Sequence, residues 1–495
     1  MSRNNPLSFS SADAINPMRN LLIFLISVMI FTGCTPVAHE KNIPIREKII
    51  SEMKVPEPEK KIEKIQPEIE MPEKKVSVRV GIMDGESEIL FSCSGLYTIS
   101  SKGKVIFTKK KSQGSWKITA HGEELDFENT ETGEMIKVTG DLIFKPDQIS
   151  SFVRIGKVQS GKGWHWEDTK SRSYKGDLEF LNINGRITVV NDVGIEQYLY
   201  GVVPSEMSSE SPMEALKAQA ILARTNIFSK VGRKYKDKPY SLSSDVYSQV
   251  YTGIDKITEA TSRAVDETRG LILAYKGKPV EALFHSVCGG YLESNDVIWS
   301  SAALPYLKAK PCSPSGSFSY GDLKNENNFR KWINSTPDSY CNLNGKPSAN
   351  KLGFAKKYYR WEKSYTSQKL ESIIKSTTGK NIGKLKDISV TSRGSSGKAI
   401  SVKVTGSAGS VTINKELNIR QKLSKPPLYS GNFYVEKRDN DKDGFPSVFV
   451  FKGAGFGHGT GMCQIGACGM ADSGKNFDEI LEFYFPGTDV TELDK

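Results

Sequence analysis

Apolar and polar residues alternate along the chain between residues 76 and about 165. The stretches VSVRVGIM, GLYTIS, KVIFTKK and WKITAHG repeat an apolar side chain at about every second position, with Gly and Ser between them. Such alternation is typical of strands that bury one face. The pattern therefore predicts a small β-rich module over residues 76–170, in which no residue resembles a reactive site.

The pattern changes after residue 178. The stretch GDLEFLNINGRITVVNDVGIEQYLYGVVPSEM predicts two strands, a turn and a short amphipathic helix over residues 195–202. Pro204 is expected to end that helix, because proline disfavours helical geometry in the residue before it, and this places Glu206 in a turn. The letters SPME at 211–214 are a capping box with proline at the first helical position, which predicts the start of a second helix.

The second helix carries one apolar stripe and two cations. The stripe recurs at helical spacing and consists of Leu216, Ala220, Ala223 and Ile227. Lys217 and Arg224 are seven residues apart and lie about 90° from the stripe at ~100° per residue. Both cations are therefore predicted to line one rim of this helix.

The N-terminus predicts export. The stretch MRNLLIFLISVMIFTGC, ending at Gly33 and Cys34, combines a basic start with an apolar run too short to favour a spanning helix. Its end resembles the lipobox of bacterial lipoproteins, in which Cys34 would carry the lipid. The alternative is an ordinary signal peptide with an incidental cysteine.

The segment after the predicted signal peptide and the net charge both bear on which molecules the protein binds. Residues 35–75 mix Glu, Lys and Pro and contain no aromatic residue, which is typical of a charged, proline-stiffened linker. The net charge of +11 is compatible with nucleic acid, anionic wall polymers or an acidic membrane surface. Export disfavours nucleic acid, so a DNA-binding protein is the least favoured of these interpretations.

Two long motifs resemble one family. YLYGVVPSEM followed by PMEALKAQAILART, and GAGFGHGTGMCQIGACGMADSGKNFDEILEFYFPGT at 453–488, are similar to the two signatures of the SpoIID family (stage II sporulation protein D, SpoIID/LytB, amidase-enhancer-like). FHSVCGGYLESNDVIW and LNIRQKL fall between them in family order, so the resemblance covers roughly residues 180–495.

The resemblance implies a peptidoglycan lytic transglycosylase. The family's catalytic glutamate falls on Glu206, and its important lysine and arginine fall on Lys217 and Arg224. Cations close to Glu206 would lower its pKa and disfavour a general acid, so both are expected to contact substrate, at lactyl carboxylates exposed once stem peptides are removed. His458 and Gln464 are expected at the glycan groove.

A lytic reaction would explain why the sequence offers one catalytic carboxylate and no second acid beside it. Glycoside hydrolysis uses two carboxylates, whereas a lytic enzyme lets the primary hydroxyl of the same sugar close a 1,6-anhydro ring. Such a reaction requires no cofactor. The alternative function is a non-catalytic, wall-binding enhancer of an N-acetylmuramoyl-L-alanine amidase.

Six cysteines remain besides Cys34. In an exported protein an even count favours disulfides, for example between Cys288 and Cys312. His285, Cys288, Cys312 and Cys341 form an alternative Cys₃His zinc set, and some family members hold zinc near the corresponding loop. Free thiols are the third interpretation.

The sequence thus predicts an α+β protein of the cell envelope. Its divisions are a lipoprotein signal peptide (1–34), a linker (35–75), the β-rich module (76–170) and a SpoIID-like catalytic domain (171–495). Its expected partners are peptidoglycan glycan strands, a bacterial membrane through the lipid on Cys34, and an amidase.

Overall fold

The structure, a computed structural model, describes residues 77–111, 114–230 and 234–493. Residues 72–495 form one compact unit. The predicted signal peptide with Cys34 and the predicted linker lie outside the described residues. Among the helices described, none is long and apolar enough to cross a membrane.

A seven-stranded sheet among the described residues draws strands from both sides of residue 170. In spatial order its strands are β13 (Leu242–Ser243), β1 (Ser77–Glu86), β12 (Arg186–Gly194), β11 (Asp177–Ile183), β8 (Leu142–Pro146), β3 (Leu96–Ser101) and β4 (Lys104–Lys111). β1 runs antiparallel to β12, with Val80 opposite Asn191. The predicted boundary near residue 170 therefore falls inside one sheet.

A six-stranded sheet packs its apolar face against the first sheet. Its order is β10 (Asp168–Tyr174), β9 (Phe152–Ser160), β2 (Glu88–Ser94), β5 (Ser115–His121), β6 (Glu124–Asn129) and β7 (Met135–Thr139). Phe91 of this sheet contacts Phe144 and Phe180 of the first, with ring centroids 5.4 and 4.9 Å apart. The strand-rich prediction for residues 76–165 is confirmed, and its alternating apolar positions fill the space between the sheets.

The helices follow these sheets along the chain. They are α1 (Ile195–Glu206), α2 (Met213–Lys230), α3 (Glu259–Asp266), α4 (Asn295–Trp299), α5 (Glu326–Ile333), α6 (Lys356–Tyr359), α7 (Ser367–Thr378), α8 (Glu416–Leu423), α9 (Gln464–Ala471) and α10 (Phe477–Tyr484). α2 lies at the centre, in contact with α1, α3, α9 and α10. It is buried on nearly every face, not on one stripe alone.

The remaining strands form small sheets. They are β14 (Leu271–Tyr275), β15 (Lys278–Pro279), β16 (Phe284–His285), β17 (Tyr291–Leu292), β18 (Lys310–Pro311), β19 (Trp361–Thr366), β20 (Leu385–Arg393), β21 (Ala399–Gly406), β22 (Gly409–Asn414), β23 (Phe433–Asn440), β24 (Pro446–Gly453), β25 (Met462–Cys463) and β26 (Asp489–Glu492). β19 to β24, with α7 and α8, enclose a second apolar core. β16 pairs in parallel with β25, which brings the 284–288 loop against the second signature motif.

The α+β class is confirmed, but the predicted end of α1 is wrong. The helix continues through Pro204 to Glu206. The amide of Met207 still donates to the carbonyl of Val203 (2.9 Å), so the helical hydrogen bonds resume after the proline. Proline removes one backbone hydrogen bond, and the burial of Leu199, Val202 and Val203 stabilises the continued helix.

Candidate functional site

Glu206 is fixed by the end of α1 and by a neighbouring loop. The backbone amide of Val250 donates to Glu206 Oε1 at 2.7 Å. Close approach of the two segments depends on Gly201, where an added Cβ would lie 2.4 Å from the carbonyl oxygen of Gly253. Next to this contact, the hydroxyls of Ser205 and Thr252 are hydrogen-bonded to each other at 2.7 Å. The carboxylate is thus held by backbone geometry, and not by an ion pair.

The environment of Glu206 favours a protonated carboxyl. Burial raises the pKa of Glu206 to about 7, against the weaker opposing effects of the Val250 amide and of the positive charges of Lys230 and Lys256. A general acid is most effective when its pKa lies near the working pH. Glu206 therefore has the protonation behaviour of a group that both donates and accepts a proton near neutrality.

Two lysines after Glu206 hold the loop that positions it. Lys230 Nζ donates to the carbonyl of Ser248 at 3.3 Å, and Lys234 Nζ donates to the carbonyl of Tyr247 at 2.6 Å. Burial lowers the pKa of Lys230 to about 8. Neither the lysines nor Val250 was predicted as a site residue, because Val250 lies 44 residues after Glu206 and tertiary folding brings its loop to Glu206 and to the end of α2.

Arg224 is not placed to bind substrate, which corrects the sequence prediction. Its side chain is 0% exposed. Nε and Nη2 donate to the two carboxylate oxygens of Glu196 at 2.9 and 2.7 Å, and Nη1 donates to the carbonyl of Leu271 at 2.9 Å. A guanidinium with its donors satisfied in this way joins α1, α2 and β14, and it has a structural role.

Lys217 is also paired within the chain. Its Nζ lies 2.9 Å from Glu214 and 2.7 Å from Glu267, and its side chain is 16% exposed. The hydrogen bond to Glu267 raises the pKa of Lys217 above its ordinary value. The sequence predicted that Lys217 and Arg224 face substrate along one rim of α2. In this structure each is instead paired with acidic residues of the protein itself.

His458 and Gln464 have backbone and side-chain partners of their own. His458 Nε2 lies 2.9 Å from the carbonyl of Phe284, and Nδ1 accepts from the amide of Thr460 at 3.2 Å. Burial holds the pKa of His458 well below its usual range. Gln464 is 7% exposed and donates to Gln219 of α2 at 3.2 Å. Neither side chain shares a described partner with Glu206, so their expected place in a glycan groove stays a prediction.

The predicted zinc residues do come together. The sulfurs of Cys288, Cys312 and Cys341 lie within 4.8 Å of one another, and the ligand atoms of His285, Cys288 and Cys463 form a second such group. All five residues are buried. Cys288 and Cys312 are free thiols, so the interpretation as a disulfide between them is not what the structure contains. Cys463 is the member that the sequence did not predict.

Comparison with known proteins shows which families the sequence matches. The family described as stage II sporulation protein matches residues 183–275, which include Glu206 and all of α2, and a domain of unknown function matches residues 293–461. The first match contains the first signature segment, and the second match ends inside the second signature segment, which begins at residue 453.

Individual relatives agree over most of the chain. Stage II sporulation protein D of Bacillus subtilis is 30% identical over 62% of this chain and 76% of its own length. An uncharacterised protein of Brachyspira hyodysenteriae is 32% identical over 65% of this chain and 73% of its own. The amidase enhancer of Bacillus subtilis is 29% identical over 59% of this chain, which spans 40% of that protein.

Proposed function

The chain belongs to the SpoIID family, and from that premise we propose that it is a peptidoglycan lytic transglycosylase whose acid and base is Glu206. One observation carries the proposal: Glu206 is a single carboxylate with a pKa raised to about 7, and the charged groups that act on it, among the described residues, are lysines. A hydrolase of the usual kind would instead place a second carboxylate beside the first.

The first step uses protonated Glu206 as a general acid. The carboxyl donates its proton to the glycosidic oxygen between N-acetylmuramic acid and the next sugar, and the C1–O bond breaks with oxocarbenium character. The leaving sugar departs with a hydroxyl that contains this proton. Glu206 is left as a carboxylate, which the Val250 amide stabilises by hydrogen bonding.

The second step uses the same carboxylate as a base. Glu206 takes the proton from the primary hydroxyl of the muramic acid residue while its oxygen bonds to C1. The reaction is intramolecular, so the nucleophile is already in place and no water is consumed. Glu206 returns to its protonated form, and the product ends in a 1,6-anhydro ring.

The expected substrate is a glycan strand stripped of stem peptides. Removal of the peptides exposes lactyl carboxylates, and the net charge of +11 favours an anionic polymer. Lys217 and Arg224 are already paired, whereas Lys256 is exposed and its charge acts on Glu206. Lys256 is therefore the cation that the proposal assigns to a substrate carboxylate.

Product analysis tests the reaction. Purified protein incubated with peptide-free glycan strands should release fragments that end in 1,6-anhydro-muramic acid, identified by mass spectrometry. Fragments with reducible muramic ends would show that water is the nucleophile and that hydrolysis, not lytic cleavage, takes place.

The second candidate function is that of an amidase enhancer. The name of the Bacillus subtilis relative supports it, although the chain spans only 40% of that protein. An enhancer would bind wall glycans and stimulate an N-acetylmuramoyl-L-alanine amidase without cleaving glycan itself. Stimulation that survives Glu206→Gln, together with an absence of anhydro products, would favour the enhancer.

The pH dependence of cleavage should respond to Lys230. Activity requires protonated Glu206, so the rate should fall as the pH rises through about 7. The positive charge of Lys230 lowers the pKa of Glu206, so Lys230→Met should move this alkaline limb to higher pH. Lys234→Met is the matched control, since Lys234 holds the same loop but has no resolved effect on Glu206. An alkaline limb that is the same in both variants would contradict the assignment of Glu206 as the titrating acid.

The family and the sequence of the N-terminus support a location of the protein in the cell envelope. We propose that Cys34 carries a lipid and that residues 35–75 act as the tether. Both lie outside the described residues. A tethered domain of this kind would act on wall glycans at a distance from its membrane.

A further inference from the structure

Four cysteines from separate segments meet in the interior near the second signature motif. Cys288 follows β16, Cys312 follows β18, Cys341 lies in the loop after α5, and Cys463 ends β25. Cys288 Sγ lies 3.4 Å from Cys341 Sγ and within 4.8 Å of the sulfurs of Cys312 and Cys463. Four sulfurs bound to zinc at ~2.3 Å are about 3.8 Å apart in a tetrahedron. The sulfurs of Cys288, Cys312 and Cys341 are near this spacing, and Cys463 adjoins them through Cys288.

Backbone amides point at these sulfurs. The amide of Gly290 donates to Cys288 Sγ at 3.4 Å, and the amides of Cys288 and Gly466 donate to Cys463 Sγ at 3.2 and 3.3 Å. A neutral thiol is a weak acceptor, whereas a thiolate attracts such donors. Hydrogen bonds to the ligand atoms are a regular feature of metal sites, where they orient and stabilise the ligands.

Cys463 reaches towards the other cysteines across Gly466. A Cβ added at Gly466 would lie 3.2 Å from both Cys312 Sγ and Cys463 Cβ, so these two residues flank the same point. His285, in contrast, directs Nδ1 at the carbonyl of Thr460 (3.1 Å), and its ring lies 5.3 Å from that of His458. The thiol of Cys463 contacts those of Cys288, Cys312 and Cys341, whereas the close neighbours of His285 in the cluster are Cys288 and Cys463.

We propose that Cys288, Cys312, Cys341 and Cys463 bind one zinc ion through four thiolates, and that Cys463, not His285, completes the set. Four protein ligands close a tetrahedral zinc site and leave no position for water, so the ion has a structural role. It ties the 284–288 loop to the second signature segment, beside the parallel pair of β16 and β25.

The arrangement favours an ion over disulfides. Cys288 lies within 4.8 Å of each of the other three sulfurs, so the spacing singles out no one disulfide partner for it. A disulfide needs two sulfurs about 2.05 Å apart, and the four cysteines of the cluster are free thiols. A metal centre accounts for all four positions at once, whereas one disulfide would leave two buried thiols without a role.

The test uses the full chain, purified anaerobically with zinc present. Metal analysis should find one zinc per chain, and X-ray absorption should find four sulfur neighbours at ~2.3 Å. Cys463→Ser should weaken zinc binding more than about 100-fold, because even partners outside the ligand set change affinity 10–100-fold. His285→Asn should keep one zinc with four sulfurs. Cys468→Ala is the matched control, a buried cysteine of α9 outside the cluster, and it should behave as the parent.

Several outcomes would overturn the proposal. Three sulfurs and one nitrogen in the parent protein, or loss of zinc in His285→Asn, would assign the fourth position to His285. A metal-free protein with a disulfide at Cys288, found by thiol counting, would exclude the site. The sulfur count of the parent protein decides the question even if Cys463→Ser does not fold.

Discussion

Glu206→Gln is expected to abolish glycan cleavage while leaving the fold and glycan binding intact. The amide can still accept the hydrogen bond from Val250 through its oxygen. It can neither donate a proton to the glycosidic oxygen nor take one from the primary hydroxyl. General acid–base work is worth about 10²–10⁴-fold per role, and here one residue has both roles. The release of anhydro-ended fragments measures the effect.

A matched control lies four residues further along the chain. Glu210 is exposed, and its carboxylate pairs with Lys351 at 3.3 Å on the surface. Glu210→Gln makes the same chemical change outside the Glu206 site and should leave the rate unchanged. Turnover by Glu206→Gln equal to that of the parent would exclude Glu206 as the acid and end the proposed mechanism.

Glu206→Gln should increase the stability of the protein although it abolishes activity. The pKa of Glu206 is about 7 in the folded protein, whereas the pKa of an unperturbed glutamate carboxyl is 4.5. The folded state therefore favours the proton, and this contribution to stability is complete below pH 4.5 and lost as the pH rises through about 7. Glutamine cannot ionise, so Glu206→Gln should be more stable than the parent above pH 7, by on the order of 2–3 kcal/mol. Denaturation by urea at about pH 4, below both pKa values, and at about pH 8, above both, measures the difference.

Local patterns were sufficient to predict where the strands lie, but not which strands pair with each other. Alternation identified the strands between residues 76 and 165, because each side chain's face is set by its neighbours in the same strand. β1, however, pairs with β12 across more than a hundred residues. Register between distant strands depends on the whole sheet. A boundary drawn near residue 170, from the alternating pattern and the extent of the family resemblance, therefore divided a sheet that the chain completes later.

The sequence could predict the motif residue of the site, but not the residues that surround it in the fold. The resemblance predicts Glu206 as the catalytic residue, but the Val250 amide that binds it comes from a loop whose folding no local pattern encodes. α2 offered a signal that the one-stripe interpretation overlooked, since Ala218, Ile221 and Leu222 make it apolar on further faces as well. A helix that is apolar all round is buried, and a cation on it must find a partner inside the protein.

Cys463 shows the same limit. Along the chain it stands near Cys468, and spacing alone connects those two residues. In the structure the parallel pair of β16 and β25 carries Cys463 to Cys288 instead. Cys288 and Cys463, which are 175 residues apart in the chain, therefore meet in one interior cluster. Residue spacing along the sequence cannot predict such a contact.

Arg224→Ala is expected to destabilise the protein, and not to weaken substrate binding by the folded molecule. Removing the guanidinium leaves Glu196 without its bidentate partner and the carbonyl of Leu271 without a donor. Breaking a buried ion pair from one side costs about 3–5 kcal/mol. Arg224→Lys should recover little of this, because an ammonium cannot reproduce the two parallel hydrogen bonds. Urea denaturation gives the free energy of unfolding for both variants.

The matched comparison is Lys217→Ala on the same helix. Lys217 keeps 16% of its side chain exposed, and its partner Glu267 is 42% exposed. Such a pair contributes at most about 1 kcal/mol, so this variant should unfold close to the parent. Affinity for peptide-free glycan fragments, measured at a temperature where each variant is folded, should stay within a few-fold of the parent for Arg224→Ala. A stable Arg224→Ala protein that no longer binds glycan would restore the substrate role that its burial argues against, and would require α1 and α2 to separate when the glycan binds.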